Sequence, residues 1–184
     1  NKDRWYVLMA KNPLYGYTNR ILAEITAYLL SNKDFCNFLY YTDEKYEYAD
    51  LTRLDIPPSN EIYDKYFFVF RRIPEVVKDA KAFVYLDVYR DMPIKLGSPI
   101  RTITFTATIL VHRDCVRCLH GHRGICIKDS LEIALSELSG KNTIGNIELS
   151  RVSPVLGLVE EYMGYTLQLK VDNFSPRFFD KYGE

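Results

Sequence analysis

Three of the four cysteines and all three histidines of this chain fall within one short stretch. It reads His112-Arg-Asp-Cys115-Val-Arg-Cys118-Leu-His120-Gly-His122-Arg-Gly-Ile-Cys126. A structural zinc site takes four thiolate or imidazole ligands in a tetrahedron, commonly a Cys-x2-Cys pair completed by Cys or His. Cys115, Cys118, His122 and Cys126 supply such a set in a Cys-x2-Cys-x3-His-x3-Cys spacing, with Gly121 and Gly124 permitting the turns. These four residues are the candidate ligands of a structural zinc.

Other chemistries fit the stretch less well. The spacing resembles a retroviral zinc knuckle, with each later gap one residue short. A knuckle-like module over 112–126 would bind nucleic acid or protein, and this is the alternative reading of the whole chain. Single-strand binders stack bases on aromatic rings, and the stretch has none. A Cys-x2-Cys redox pair belongs at a helix N-terminus, where the dipole lowers the thiol pKa. Here the expected helix starts only after Cys126. No Gly-rich phosphate loop, Gly-x-Ser-x-Gly elbow, His-Glu-x2-His motif or paired-carboxylate cleft occurs. A His-Asn-His nuclease would need a second Cys pair, and Asp87, Asp91 and Asp114 read as turn formers rather than a metal triad. No enzyme is expected. Arg113, Arg117 and Arg123 make the stretch locally basic. An acidic pair, Glu160 and Glu161, could meet it, and opposite charges of this kind set register between neighbouring subunits.

These residues sit in a chain of 184 residues with 24 Lys+Arg against 24 Asp+Glu and 47% hydrophobic residues. The length suits one domain with a core of its own. A balanced charge argues against a general nucleic-acid binder, which relies on a basic surface to neutralise phosphates. No apolar run approaches the roughly 18–20 residues that span a bilayer, so no membrane partner is expected. The opening residues do not read as a secretory leader, and a soluble cytosolic protein follows as the expectation. The 15 Tyr and 10 Phe are unusual beside a single Trp. Tyrosine combines apolar area with a hydroxyl and suits protein–protein boundaries.

The elements that must position the Cys/His stretch can be read from periodicity. Ile21, Leu22, Ile25, Tyr28 and Leu29 share one face of a helix over 18–31. A shorter helix over 34–41 presents Phe35, Phe38 and Leu39, and the two prolines in 55–60 break the pattern. The period then changes to two. Strands are expected over 66–71, 83–89 and 101–111, the last alternating Ile103, Phe105, Ala107, Ile109 and Val111 with threonines. Residues 92–99 read as an exposed hairpin loop. A second helix over 129–139 would open on a capping box of Asp129 and Glu132 and end at Gly140. Strands over 144–152 and 165–171 follow. The sum is an α+β domain: a mixed, mostly antiparallel sheet, an N-terminal helix and a second helix on one face, and extended β-loops.

The order of these elements and several strings carry a resemblance. They are Arg20-Ile-Leu-Ala-Glu-Ile-Thr-Ala-Tyr-Leu-Leu-Ser-Asn32, Phe38-Leu-Tyr-Tyr41, Val111-His-Arg-Asp114 and Gly164-Tyr-Thr-Leu-Gln-Leu-Lys-Val-Asp-Asn-Phe174. Together they are similar to the tail-terminator (tail-completion) proteins in the neck of tailed bacteriophages. The resemblance covers residues 18–174 and leaves 1–17 as an N-terminal arm and 175–184 as a C-terminal tail. It implies a virion protein assembled in the host cytoplasm, a homo-oligomer forming a hexameric ring. Its implied partners are the tail tube protein, the neck or head-completion protein and a tail sheath. The same resemblance implies no active site and no specific nucleic acid.

Overall fold

The computed structural model describes residues 17–69, 81–93, 100–141, 144–155 and 161–174. The expected arm over 1–17, except Tyr17, the C-terminal tail over 175–184, residues 94–99 of the expected hairpin loop, and Glu160 lie outside them.

Two helices open the described chain. Helix α1 (Tyr17–Ser31) buries Ile21, Leu22, Ile25 and Leu29, the apolar stripe expected from the sequence. Asn32 then separates it from α2 (Lys33–Tyr40), and the Asn32 side chain accepts the Phe35 N–H at 2.9 Å as an N-cap. Inside α2, the fully buried Asn37 donates through Nδ2 to the carbonyls of Leu51 (2.7 Å) and Leu54 (3.0 Å). These bonds hold the following irregular segment against the helix. The proline break ends in a single helical turn, α3 (Ser59–Ile62), entered from Pro58.

Seven strands follow among the described residues: β1 (Phe67–Phe68), β2 (Ala82–Pro93), β3 (Ile100–His112), β4 (Arg117–Cys118), β5 (Gly121–His122), β6 (Asn146–Val155) and β7 (Tyr162–Phe174). Five of them form one sheet in the order β1-β2-β3-β7-β6, while β4 and β5 form a small hairpin of their own. In the large sheet β1 runs parallel to β2 and every other pairing is antiparallel. The fold is α+β, as the alternating pattern implies. The central pair matches β3 residue for residue with β7 from Ile100 opposite Phe174 to His112 opposite Tyr162. Gly164 belongs to this pairing for a steric reason, since a Cβ there would collide with the Ile109 carbonyl.

One face of the sheet meets the helices. Ile103, Phe105, Ala107, Ile109 and Val111 are all fully buried there, against Val84 and Leu86 of β2 and Leu167, Leu169 and Val171 of β7. Helix α4 (Arg123–Leu138) covers them with Ile127, Leu131, Ala134, Leu135 and Leu138. Each such side chain contributes about 1.5–3 kcal/mol by leaving water. The opposite face has a smaller cluster, Phe68, Phe83, Tyr85, Leu110 and Val155, at one end. Beyond it lies the threonine face of β3, on which Thr108 is buried and Thr102, Thr104 and Thr106 are half-buried. Thr108 meets Thr166 at 3.3 Å and Thr102 donates to Asp172 at 2.6 Å.

The boundaries of several elements differ from the periodicity. Strand β2 continues to Pro93 through an irregularity between Val88 and Arg90, which leaves Tyr89 68% exposed. Strand β6 starts and ends later than the expected 144–152, and β7 outruns 165–171 at both ends, because a long neighbour offers hydrogen bonds whatever the side chains are. The largest difference is α4, which starts six residues before the expected Asp129. Its cap is His122, whose Nδ1 accepts the Gly124 N–H at 3.1 Å. Asp129 and Glu132 instead bind Lys128 on the helix surface, at 2.7 and 3.0 Å. Among the described residues no helix is long and apolar enough to cross a membrane.

Candidate functional site

The Cys/His stretch forms the junction between β3 and α4. Strand β3 ends at His112, whose Nδ1 accepts the Asp114 N–H at 3.2 Å and so starts a 3-10 turn, Arg113–Cys115. The β4–β5 hairpin follows, turning over Leu119 and His120 into Gly121, whose φ of +106° favours glycine. Helix α4 then begins inside the stretch.

Arg123 is the anchor of this junction. It is 1% exposed, and its guanidinium donates to the Cys115 carbonyl (2.7 Å) and the Phe38 carbonyl (3.0 Å). Its own N–H donates to the Val116 carbonyl at 2.7 Å. Phe38 lies in the last turn of α2, where carbonyls lack helical partners, so the charged fork completes that helix end as well. Burial pushes the Arg123 pKa down, while the thiols of Cys115, Cys118 and Cys126 beside it push it up. Arginine stays charged under such pressure.

The neighbouring thiols differ sharply. The Cys118 and Cys126 sulfurs are 3.9 Å apart. A hydrogen bond from Cys126, helped by the His120 backbone and Arg123, lowers the Cys118 pKa to about 6 against the burial that opposes it. Cys126 is pushed the other way by that same bond and by burial. The two sulfurs thus meet beside a buried guanidinium, with Cys118 the more acidic of the pair. Cys115 is turned away, donating to the His112 carbonyl at 3.4 Å, and burial raises its pKa.

Of the four candidate zinc ligands the structure thus brings two together, Cys118 and Cys126. His122 spends Nδ1 on the helix cap, and Cys115 faces a backbone carbonyl. Among the described residues no three His, Cys, Asp or Glu side chains are grouped to hold a metal ion. His120 pairs with Asp50 at 3.1 Å and packs edge-on against Phe38. Hydrogen bonds from Thr52 lower the Asp50 pKa foremost, with His120 and Arg53 adding to it. Cys118, Val116 and His122 line a shallow concavity of about 480 Å³ that Glu47 and Tyr48 close from the other side.

The charge pattern also resolves within one chain. Glu161 accepts from the His112 ring at 3.3 Å and pairs with Arg113 at 3.9 Å, while its carbonyl accepts the Arg113 N–H at 2.9 Å. Glu161 thus makes its contact with the stretch inside one chain, and Glu160 lies outside the described residues. Arg123 is likewise buried rather than part of a basic surface.

A second region of the molecule is left open. Strand β6 is an edge of the five-stranded sheet, and its Leu149 and Val152 are 41% and 42% exposed. Both point to the helix face, since they oppose Leu169 and Leu167. On the far edge β1 covers only Val84 and Tyr85 of β2. Among the described residues no strand pairs with the outer side of β2 beyond Tyr85.

A family model, YomW, matches residues 32–171, most of the chain and all of the sheet up to Val171. The chain belongs to the YomW family. YomW is a phage-derived family, which agrees with the phage origin implied by the resemblance. Among curated proteins no relative matches the chain. The YomW match begins at the cap of α2 and takes in β2, β3, the Cys/His junction, α4 and β6. Sequence reasoning did not single out Arg123 as an anchor or β6 as an open edge. The one signal for the first was an arginine flanked by a cap-compatible His122 and by Gly124.

Proposed function

We propose that this YomW protein is a structural subunit of a phage tail that forms a closed ring at the head–tail junction. The ring caps the tail tube and joins it to the neck or head connector, and it works by shape without making or breaking covalent bonds. The reading places the protein in the virion after assembly in the host cytoplasm. One observation carries it: among the described residues β6, and β2 beyond Tyr85, each have a side with no strand paired to it. Edge strands with free N–H and C=O groups are templates for pairing with another chain.

The edges also match in direction and height. Neighbouring strands alternate in direction from β2 through β3 and β7 to β6, so β6 of one copy lies antiparallel to β2 of the next. Val88, Phe105, Leu169 and Leu149 form one row across the sheet, and Asp91, Ile103, Val171 and Ile147 form another. The open part of β2 and residues 146–149 of β6 thus stand level. Below them the irregularity between Leu149 and Arg151, together with Pro154, blunts the rest of the edge. Head-to-tail contacts of this kind close into a ring when the rotation allows it. A neighbour seated on residues 146–149 of β6 would cover Leu149. A chain with balanced charge can pack against its own copies without summed repulsion.

The test of the capping role is tube growth. Purified protein added to polymerising tail-tube subunits of the same phage should stop elongation and leave a ring at one tube end in electron micrographs. Tubes of unchanged length with bare ends would overturn it.

A further inference from the structure

Two thiols eight residues apart in the chain meet across the β4–β5 hairpin. Cys118 closes β4, Cys126 lies in the first turns of α4, and their sulfurs are 3.9 Å apart. A disulfide spans about 2.05 Å, so side-chain rotation over roughly 2 Å brings the sulfurs into bonding distance. Cys118 is only 8% exposed, and its access runs through the concavity it lines. Cys126 is half-buried beside the exposed Ile125. The remaining cysteines are placed differently. Cys36 is fully buried and points at the Leu29 and Leu30 carbonyls, and Cys115 points at the His112 carbonyl.

We infer that Cys118 and Cys126 form a reversible redox pair, closed to an intramolecular disulfide by low-molecular-weight disulfides and reopened by low-molecular-weight thiols. In the closing direction Cys118 loses its proton and its sulfur attacks one sulfur of the small disulfide. A mixed disulfide forms on Cys118 and one small thiolate leaves. Cys126 then loses its proton, its sulfur attacks Cys118 Sγ, and the second small thiolate departs. Two electrons pass from the cysteine sulfurs into the S–S bond that breaks, and the two released protons end on the two small thiols. The new bond clips the β4–β5 hairpin to the start of α4, the segment that carries the His122 cap and Arg123. This chemistry is independent of the ring.

The folded, reduced protein is equilibrated with graded ratios of oxidised and reduced glutathione, alkylated, digested and mapped by mass spectrometry. The expected result is a Cys118–Cys126 linked peptide that appears with the oxidised form and disappears with excess thiol. Cys36 and Cys115 should become alkylated only after unfolding. Cys126→Ala should leave glutathione trapped on Cys118, while its circular dichroism stays that of the parent. A linkage through Cys115 or Cys36 would overturn the inference, as would folded protein that forms no link at any ratio. So would stoichiometric zinc that shields Cys118 and Cys126 from alkylation until a chelator is added.

Discussion

Arg123 ties the end of α2 to the β3–α4 junction far along the chain. Its two side-chain bonds join the end of α2 to the turn before β4, and its backbone begins α4. Removing the guanidinium leaves the Phe38 and Cys115 carbonyls buried without donors, a loss of about 1–3 kcal/mol for each such group. Arg123→Met should therefore lower unfolding free energy in urea by about 2–4 kcal/mol. Arg123→Lys should fall between, because a single ammonium cannot reproduce a fork aimed at two carbonyls. A methionine variant as stable as the parent would contradict the anchoring role. This residue was hidden in the sequence for a definite reason. Charged residues are usually exposed, so a three-arginine stretch reads as a basic surface. Its burial depends on carbonyls supplied by a helix some eighty residues away, which no local pattern encodes. The four candidate zinc ligands stand apart for a related reason: Cys118 and Cys126 meet, while His122 fits the ligand spacing but gives its Nδ1 to the helix start. Cap rules look first to Ser, Thr, Asp and Asn, so the true start of α4 was also missed.

At the scale of elements, the contact between α2 and α3 makes a prediction about pH. The Tyr40 hydroxyl donates to Glu61 at 2.6 Å, and that bond, with burial and nearby charge adding to it, pushes the Tyr40 pKa up to about 12. A free tyrosine titrates near 10. The folded pKa is the higher one, so the contribution of the neutral hydroxyl is complete below about pH 10 and fades as pH rises from about 10 towards 12. Tyr40→Phe should flatten the loss of stability across that window when denaturation midpoints are compared, and an unchanged slope would count against the contact. The strands were the most legible elements. The β3 alternation places five residues in the core and the threonines on the other face, because a period of two maps directly onto a pleated sheet. Their pairing order was not legible, since register and neighbours depend on contacts between segments far apart in the chain. The open edge of β6 follows only from that order. Leu149→Lys places a charge on the edge at a position already partly exposed. It should leave the melting temperature of the subunit unchanged while abolishing its self-association in native mass spectrometry. Persistent association would move the interface elsewhere.

Over its described residues the protein is a sheet with helices on one face, threonines beside a small aromatic cluster on the other, and no described strand pairing with the outer side of β6 or of β2 beyond Tyr85. The fold class was readable because helix and strand periods separate cleanly along the chain. The phage-derived family agrees with the strings that pointed to tailed bacteriophages. The balanced charge, the level edges and the partly exposed apolar side chains of β6 all suit a subunit completed by its own copies. The most direct measurement of that claim is the oligomeric state of the purified, untagged protein, taken by native mass spectrometry and by electron microscopy along the symmetry axis. The account predicts a single closed ring, six subunits if the tail-terminator resemblance extends to ring number, with β6 of each copy beside β2 of the next. A protein that stays monomeric at all concentrations tested, or a ring whose β6 edges face solvent, would contradict it.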